Sequence, residues 1–418
     1  MTVEIKGGPL TGAIPAVPSK SDMHRVLICS AFADEKTRII VRGDLPDDAE
    51  ATVRSLSALG AKIERAGDRL TVTPVSRIPE SAVLPVGESG STFRFLVPVA
   101  AALGVTADFL TEGRLGDRPM EPLTDALAEH GAKFLRTDDG GFRVGGKLSG
   151  GEYSIRADVS SQFITGILFA LVLSGGGKVR LLGKAESAGY IEMTLDTLSR
   201  FGIKTEYKDG VISVSGALRS PGEIPVDGDW SGSAFWLCAG AAGGGITVTG
   251  LSESSRQGDR AVADILRRMG AYVSVGDGAV TVSGGDLHGI GIDASDVPDL
   301  VPPIAALASI SKGETVIRGA SRLRIKESNR LEALVSSLGA LGADIKETGD
   351  GLSIHGKEKL PGGRADAFAD HRIAMAVAVA SARSEKIALT GAQTVSKSYP
   401  GFWDDFKRLG GGLTVTEE

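Results

Sequence analysis

The sequence PSKSDMHR at Pro18–Arg25 leads directly into the apolar run VLICSAFA at residues 26–33. Small polar residues before such a run are typical of the exposed first turn of a buried helix, with Ser19 or Ser21 as the cap. A helix start presents backbone N–H groups and the positive end of the helix dipole, and Lys20 adds a cation. The stretch therefore predicts an anion-binding helix start.

The same event, polar residues opening an apolar helix of small residues, recurs along the chain. Its markers are Lys20, Gly90, Ser161, Ser231, Asp299 and His371, which are separated by 70, 71, 70, 68 and 72 residues. Six units of about 70 residues account for nearly the whole chain of 418 residues.

Each unit repeats one order of predicted elements. A short strand ending near glycine follows the buried helix, and an amphipathic helix comes next, as in residues 49–59. Glycines such as Gly60, Gly131 and Gly202 would stop this second helix in a left-handed conformation, and two strands close the unit. The order β-α-β-α-β-β predicts an α/β protein built from six repeats.

Two segments rich in proline and glycine, residues 14–19 and 221–228, are interpreted as crossings between two halves with three repeats each. We expect lobe I to comprise residues 1–17 and 228–418, and lobe II to comprise residues 18–227. If the six buried helices are parallel, their starts converge on a cleft between the lobes. The active site is expected in that cleft.

Composition narrows the classes of function. The net charge of −6 and the 5% aromatic content argue against nucleic acid as a partner. The longest apolar runs stop well short of the ~18 residues of a membrane span, and no signal pattern opens the chain, so a cytoplasmic protein is expected. Cys29 and Cys238 lie in apolar runs and are interpreted as buried thiols. The five histidines show no metal-ligand spacing, so no metal is expected.

Several polar stretches can bind anions. The turn at residues 88–94 brings glycine to a helix start, the loop at residues 114–119 carries Arg114 and Arg118, and Ser160-Ser161-Gln162 offers hydroxyl and amide groups. For each single stretch, an ordinary helix cap or a solvated loop is an equally simple explanation. Six such starts in phase, with this much positive charge, favour a shared anion site.

The densest cluster of charge is residues 322–330, RLRIKESNR. Lys326 and Arg330, four residues apart, would share a helical face with Glu327 beside them, although an ordinary exposed helix start explains the pattern equally well. A carboxylate among cations is suited to proton transfer. Asp47 and Asp48 are interpreted as a helix cap.

These motifs, taken in order, resemble the 5-enolpyruvylshikimate-3-phosphate synthase family over the whole chain. The resemblance rests on Pro18-Ser19-Lys20-Ser21 with Arg25, Ser89–Arg94, Arg118-Pro119, Ser160-Ser161-Gln162, Pro298-Asp299, Lys326-Glu327-Ser328 with Arg330, Asp370-His371-Arg372 and Ser396-Lys397 with Pro400. It implies a two-lobed inside-out α/β barrel. It also implies enolpyruvyl transfer from phosphoenolpyruvate to shikimate 3-phosphate in aromatic amino acid biosynthesis, with no cofactor.

The resemblance also implies a role for each matching residue. Shikimate 3-phosphate would be bound by Lys20, Ser21, Arg25, Ser160, Ser161, Gln162, Ser187, Asp299 and Lys326. Phosphoenolpyruvate would be bound by Lys20, Gly90, Arg118, Gln162, Arg330, Arg372 and Lys397. Asp299 would accept the hydroxyl proton and Glu327 would protonate the methylene carbon, with Lys20 as a third catalytic group.

Three positions depart from the family pattern, namely Phe95, Arg322 and Asn329. Gly90 implies sensitivity to glyphosate. The related UDP-N-acetylglucosamine enolpyruvyl transferases typically carry a cysteine before the Arg-Pro pair, and residues 112–117 contain none. A non-catalytic anion-binding repeat scaffold is the other alternative. Small anionic substrates, no membrane contact and a monomeric state are expected.

Overall fold

A computed structural model describes residues 1–137, 141–183 and 186–416. The chain divides into two compact units. Unit 1 contains Met1–Val17 and the chain from Asp227 onward, and unit 2 contains Pro18–Val226. In the described ranges, no helix is long and apolar enough to cross a bilayer.

Strands and helices alternate through both units. The described strands are β1 (Thr2–Lys6), β2 (Gly12–Pro15), β3 (Thr37–Ile40), β4 (Lys62–Ala66), β5 (Arg69–Thr73), β6 (Ser81–Gly87), β7 (Thr106–Thr111), β8 (Ala132–Arg136), β9 (Phe142–Gly146), β10 (Glu152–Arg156), β11 (Gly177–Leu182), β12 (Lys204–Lys208), β13 (Val211–Ser215), β14 (Glu223–Pro225), β15 (Ile246–Thr249), β16 (Tyr272–Gly276), β17 (Ala279–Ser283), β18 (Gly291–Asp293), β19 (Glu314–Arg318), β20 (Asp344–Glu347), β21 (Leu352–His355), β22 (Gly363–Asp366), β23 (Ile387–Thr390) and β24 (Gly412–Thr416). The described α-helices are α1 (Lys20–Ala31), α2 (Asp47–Ala58), α3 (Gly90–Leu103), α4 (Leu123–Ala128), α5 (Ser161–Leu173), α6 (Ala188–Arg200), α7 (Trp230–Ala239), α8 (Val262–Arg268), α9 (Val301–Ala308), α10 (Arg330–Ala340), α11 (His371–Ala380) and α12 (Phe402–Arg408).

Within the described residues these strands form six four-stranded sheets with one plan. The strand orders in unit 2 are β14-β3-β5-β4, β6-β7-β9-β8 and β10-β11-β13-β12, and those in unit 1 are β2-β15-β17-β16, β18-β19-β21-β20 and β22-β23-β1-β24. In each sheet the first two strands are parallel and the other neighbours are antiparallel. This repeated mixed sheet confirms the predicted α/β fold of β-α-β-α-β-β units.

In four of these sheets a nearly fully buried helix joins the two parallel strands. In the other two, the parallel pairs β14–β3 and β2–β15 combine segments far apart in sequence, and a buried helix follows β2 and β14 instead. These six core helices are α1, α3, α5, α7, α9 and α11. They are buried nearly all round and, beyond their polar first turns, largely apolar, because they are enclosed by the sheets and by one another. In unit 2, α3 and α5 approach so closely that a Cβ at Gly166 would lie 2.4 Å from the carbonyl oxygen of Arg94, which requires glycine there.

The core helices begin where the repeat predicts. Ser19, Ser89, Ser160, Asp229 and Asp370 accept a first-turn backbone N–H in their side chains and so cap α1, α3, α5, α7 and α11. The fifth start differs, because a 3₁₀ turn at Pro298–Leu300 precedes α9 and no side chain caps it. Asp299 is therefore available for other contacts.

The glycines after the second helices adopt the predicted left-handed conformation. Gly60, Gly131, Gly202, Gly270 and Gly342 have φ values of +106°, +100°, +82°, +94° and +93°. Each ends its helix and turns the chain into the next strand, which confirms that prediction.

Candidate active site

In unit 2 the starts of α1 and α2 are joined by an ion pair. Lys20 Nζ lies 2.7 Å from Asp48 Oδ2, and the two side chains are 14% and 12% exposed. The prediction that Asp47 and Asp48 cap a helix is wrong: Pro46 occupies the cap position, and no side chain accepts a hydrogen bond there. Asp48 instead holds the ammonium group of Lys20, which fixes that cation at the helix start.

A buried chain of hydroxyl groups connects this pair to the start of α3. The hydroxyl of Thr92 donates to the main-chain carbonyl of Asp48 at 3.3 Å and lies 2.7 Å from Ser89 Oγ. Thr52 continues the chain, with its Oγ1 2.6 Å from that of Thr92 and 2.7 Å from His24 Nδ1. Burial lowers the pKa of His24 well below its usual value, so the ring is neutral and serves as a structural partner.

Arg25 is buried and largely committed to contacts within unit 2. Its guanidinium donates to Thr194 Oγ1 at 2.9 Å and to the main-chain oxygens of Tyr190 and Ser21 at 2.9 and 2.5 Å. It also lies 5.3 Å from the ring centroid of Phe95, one of the departures from the family pattern. Burial lowers the pKa of Arg25 to about 10, so it remains charged at neutral pH.

Two arginines flank Gly90 at the start of α3. A Cβ at this position would lie 3.1 Å from Arg118 Nη1 and 3.4 Å from Arg94 Nη1. Arg94 also donates to Gln162 Oε1 at 2.7 Å, and Gln162 Nε2 donates to Ser91 Oγ at 2.9 Å. The starts of α3 and α5 thus share a cationic surface, and Arg94 belongs to it although it was predicted only as part of a motif.

The predicted serine ligands of unit 2 lie at helix starts. Ser160 caps α5, and its Oγ accepts a hydrogen bond from the Gln162 N–H at 3.3 Å. Ser161 is the first residue of α5, and Ser21 the second residue of α1. Ser187 precedes α6, is buried, and has φ +56°, an unusual conformation for a residue other than glycine.

In unit 1 a single guanidinium binds three carboxylates. Arg330 Nη1 lies 3.1 Å from Asp299 Oδ1, Nη2 lies 2.5 Å from Glu327 Oε2, and Nε lies 2.9 Å from Asp370 Oδ2. Burial opposes the charge of Arg330, but Asp370, Glu327 and Asp299 together raise its pKa above the usual value. Arg330 therefore stays charged and fixes the distance between the two predicted proton-transfer groups.

Asp299 has a second arginine partner. Arg372 Nη2 lies 3.1 Å from Asp299 Oδ2, and Arg372 Nη1 donates to the main-chain oxygen of Asp299 at 3.2 Å. Burial alone would raise the pKa of Asp299, but Arg372, Lys326 and Arg330 hold it well below its usual range. Burial lowers the pKa of Lys326 to about 8, against the attraction of Asp299. The carboxylate of Asp299 is thus ionised, and Lys326 gives up its proton more readily than an ordinary lysine.

The helical face predicted for Lys326 and Arg330 is wrong. Residues Ser321–Ile325 form a 3₁₀ turn, Lys326 is extended, and α10 begins only at Arg330. Asn329 precedes the helix, and its side chain donates to Glu332 Oε2 at 3.0 Å. Arg330 contacts Asp299 directly, and the charge of Asp299 also acts on Lys326, so these groups are near one another without sharing a helix.

Asp370 anchors the arginine cluster from the start of α11. It caps the helix through Arg372 N at 2.9 Å, accepts from Ser328 Oγ at 3.1 Å and pairs with Arg330. Lys397 Nζ donates to the main-chain oxygen of Ala369 at 2.8 Å, next to this cap. The predicted residues of unit 1 (Asp299, Lys326, Glu327, Arg330, Arg372 and Lys397) therefore gather around the starts of α9, α10 and α11.

Comparisons with known proteins identify the family to which this chain belongs. The family model of EPSP synthase (3-phosphoshikimate 1-carboxyvinyltransferase) matches residues 5–406. A relative from Clostridium kluyveri named 3-phosphoshikimate 1-carboxyvinyltransferase is 42% identical over 98% of each chain. One of the same name from Clostridioides difficile is 38% identical over 99% of this chain and 98% of its own.

Solved structures with a similar fold agree with this family. The EPSP synthase of Acinetobacter baumannii is similar with a TM-score of 0.82 and 26% identity, and the match covers 100% of both chains. The enolpyruvyl transferase NikO of Streptomyces tendae, at 19% identity and a TM-score of 0.78, shares the fold. With the family model and close relatives both spanning nearly the full length, this chain belongs to the EPSP synthase family.

Proposed function

We propose that this chain transfers the enolpyruvyl group of phosphoenolpyruvate to the 5-hydroxyl of shikimate 3-phosphate and releases phosphate. The observation that carries the proposal is the placement of Asp299 and Glu327 on the same guanidinium, 3.1 and 2.5 Å from Arg330. Addition across a vinyl group needs one group that accepts the hydroxyl proton and one that delivers a proton to carbon. Two carboxylates on one fixed cation meet that need.

The proposed reaction is an addition followed by an elimination. Asp299 accepts the hydroxyl proton as the oxygen bonds to C2 of phosphoenolpyruvate, while Glu327 delivers a proton to C3. The tetrahedral adduct then returns a C3 proton to the ionised Glu327, and the C2–O bond to phosphate breaks, which restores the double bond. Arg330 and Arg372 stabilise the negative charge that develops on the departing phosphate.

Two sets of residues, some of them already given a role in the reaction, are proposed to bind the substrates, which together carry two phosphates and two carboxylates. For shikimate 3-phosphate they are Lys20, Ser21, Arg25, Ser160, Ser161, Gln162, Ser187, Asp299 and Lys326; for phosphoenolpyruvate they are Lys20, Gly90, Arg118, Gln162, Arg330, Arg372 and Lys397. The support in unit 2 is that hydroxyl caps, Lys20 and the Arg94–Gln162 pair lie at helix starts, where anions are favoured. Arg25 donates hydrogen bonds to Thr194 and Tyr190 of the same unit, so its proposed role includes holding α1 in place.

The rival acceptor, UDP-N-acetylglucosamine, is less well supported. The loop before Arg118 contains no cysteine, and burial raises the pKa of both thiols in the chain, Cys29 and Cys238, above the usual value. Buried thiols of this kind are poor nucleophiles.

Phosphate release distinguishes the candidates. Purified protein is mixed with phosphoenolpyruvate and either shikimate 3-phosphate or UDP-N-acetylglucosamine, and inorganic phosphate is measured. Release with shikimate 3-phosphate alone is the expected result. Release only with the nucleotide sugar would assign the other acceptor, and release with neither would favour an anion-binding scaffold without catalytic activity.

The Gly90→Ala variant is expected to raise the KM for phosphoenolpyruvate by roughly tenfold, with a smaller effect on kcat. The added methyl group would crowd Arg118 and Arg94, and crowding in a packed site costs about 1–3 kcal/mol. Gly339→Ala is the matched control, because a Cβ there meets no atom within 4 Å. A KM for Gly90→Ala equal to that of the control would argue against phosphoenolpyruvate at this helix start.

The expected monomeric state and cytoplasmic location stay predictions. Light scattering on the purified protein, with and without shikimate 3-phosphate, measures the first of these directly. A mass of 43.1 kDa in both conditions is the expected result.

A further inference from the structure

The repeats carry a second regular feature besides the starts of the core helices. Lys20 and Asp48 are 28 residues apart and in contact, and Ser231 and Asp259 are also 28 residues apart and in contact. The pairs Gly90 with Arg118 and Asp299 with Glu327 have the same spacing. In the third and sixth repeats, Ser187 and Lys397 follow the helix starts Ser161 and His371 by 26 residues.

Each repeat thus places one residue at its core-helix start and a second residue in the first turn of its other helix or shortly before it. The second residues are Asp48, Arg118, Ser187, Asp259, Glu327 and Lys397. Four of them belong to the proposed site, and a fifth, Asp48, contacts Lys20, which is itself a residue of that site. Asp259 occupies the same position in the fourth repeat but has no assigned role.

Asp259 is built into the start of α7. Its side chain is 2% exposed, and one carboxyl oxygen, Oδ2, contacts the hydroxyl of Ser231. The side chain of Gln257 also stabilises this turn. Its Oε1 accepts from Trp230 N at 3.0 Å, and its Nε2 donates to the Gly228 carbonyl at 2.8 Å. Among the described residues, the other oxygen, Oδ1, has no hydrogen-bond partner.

A buried carboxylate whose hydrogen-bond partner is a single hydroxyl group is costly to ionise, so such a group tends to hold its proton. The charged groups that face Asp259 are Asp299 before α9, Arg372 on α11 and Asp229 at the cap of α7. Burial and the charge of Asp299 raise the pKa of Asp259 to about 7, although Ser231 and Arg372 act in the opposite direction. Asp259 thus changes charge near neutral pH, whereas Asp299 stays ionised.

We propose that Asp259 is a positioning residue for Arg372. While Asp259 carries a proton it does not compete for Arg372, whose positive charge is then available to Asp299 and to an anionic substrate. Loss of that proton adds a negative charge that competes for Arg372 and repels the substrate. The inference rests on the proposed function, in which Arg372 binds phosphoenolpyruvate. Asp259 acts through Arg372 and touches no reacting atom.

The kinetic test is the dependence of the KM for phosphoenolpyruvate on pH, measured between about pH 6 and 8.5 for wild type, Asp259→Asn and Ser231→Ala. If bound substrate shifts the proton affinity of Asp259 by one pH unit, the KM of wild type rises about tenfold through this range. Asparagine carries no charge at any pH, so this rise should be absent in Asp259→Asn while the kcat stays within a few-fold of wild type. Ser231→Ala removes a hydrogen bond that favours the ionised form, so the rise should move to higher pH.

Thermal unfolding tests the proton on Asp259 without turnover. A carboxyl group whose pKa is higher in the folded protein destabilises it progressively as the pH rises from about 4, its unfolded value, to about 7, and by a constant amount above that. The Tm of Asp259→Asn relative to wild type should therefore increase from about pH 4 to pH 7 and then level off. Asp264→Asn, an exposed substitution in the same unit, is the matched control and should show no such trend.

The outcomes separate the two proposals. A Tm difference that does not vary with pH, or a KM rise that persists unchanged in Asp259→Asn, would overturn the role of Asp259 and indicate a purely structural one. Absence of turnover in wild type would instead contradict the proposed function, and the unfolding measurement would still decide whether Asp259 holds a proton.

Discussion

The Glu327→Gln variant is expected to turn over about 10²–10⁴ times more slowly than wild type, with KM values for both substrates within a few-fold. Glutamine keeps an oxygen that can accept from Arg330 Nη2, the contact that glutamate makes at 2.5 Å. The amide cannot deliver a proton to carbon, so the loss falls on kcat. Steady-state phosphate release with each substrate varied in turn measures the two effects separately.

Two comparisons support the interpretation of that variant. Glu314→Gln is the matched control, because Glu314 is exposed and contacts surface groups such as Ser353, so its kcat should be unchanged. In D₂O, wild type should incorporate deuterium at the methylene carbon during turnover, and Glu327→Gln should incorporate it only at its reduced rate of turnover. A kcat within threefold of wild type would show that another group, such as Lys326, delivers the proton to carbon.

Local patterns in the sequence predict most of the fold. A cap residue followed by an apolar run specifies a helix start through contacts within four residues, so α1, α3, α5 and α11 begin at or beside their markers. Left-handed glycines likewise act locally, and the repeat spacing then gives the number of sheets. These features depend on neighbours in sequence and can be predicted without a partner.

The errors came where contacts between distant segments decide the structure. In the sequence Asp48 has the appearance of a cap for α2, and only the approach of Lys20, 28 residues earlier, gives it another role. Lys326 and Arg330 have helical spacing, but charged residues alone give no apolar period to fix a helix, and Asp370, 40 residues beyond Arg330, helps to set where that side chain lies.

One signal for the missed residues was present in the sequence. Counting 28 residues from the helix starts Lys20 and Ser231 reaches Asp48 and Asp259, just as it reaches Arg118 from Gly90 and Glu327 from Asp299. The repeat therefore predicts two positions in each unit. What it cannot give is the charge state of Asp259, since burial and the nearby Asp299 and Arg372 are properties of the folded chain.

The Arg330→Met variant is expected to lower the free energy of unfolding by about 3–5 kcal/mol, because breaking a buried ion pair leaves its partners uncompensated. Arg330 is 1% exposed, and its removal would leave Asp299, Glu327 and Asp370 without their shared cation. Denaturant unfolding at pH 7 measures the loss. Arg267→Met breaks an exposed pair with Asp264 and should cost less than about 1 kcal/mol.

The same variant has a distinctive dependence on pH. Because the pKa of Asp299 is depressed in the folded protein, its pairing stabilises the fold above the unfolded value of about 3.9 and is lost only as the pH falls toward the lower folded value. The stability difference between wild type and Arg330→Met should therefore narrow as the pH falls. It narrows first where the carboxylates left without Arg330 take up protons in the variant, and finally in strong acid, where Asp299 is protonated in wild type as well. Arg330→Lys should lie between the two, since one ammonium group cannot reach three carboxylates in the fixed directions of a guanidinium. If the stability difference stays equally large when the carboxylates are protonated, Arg330 stabilises the unit by packing. The positions of the three carboxylates would then be set by the surrounding helix starts.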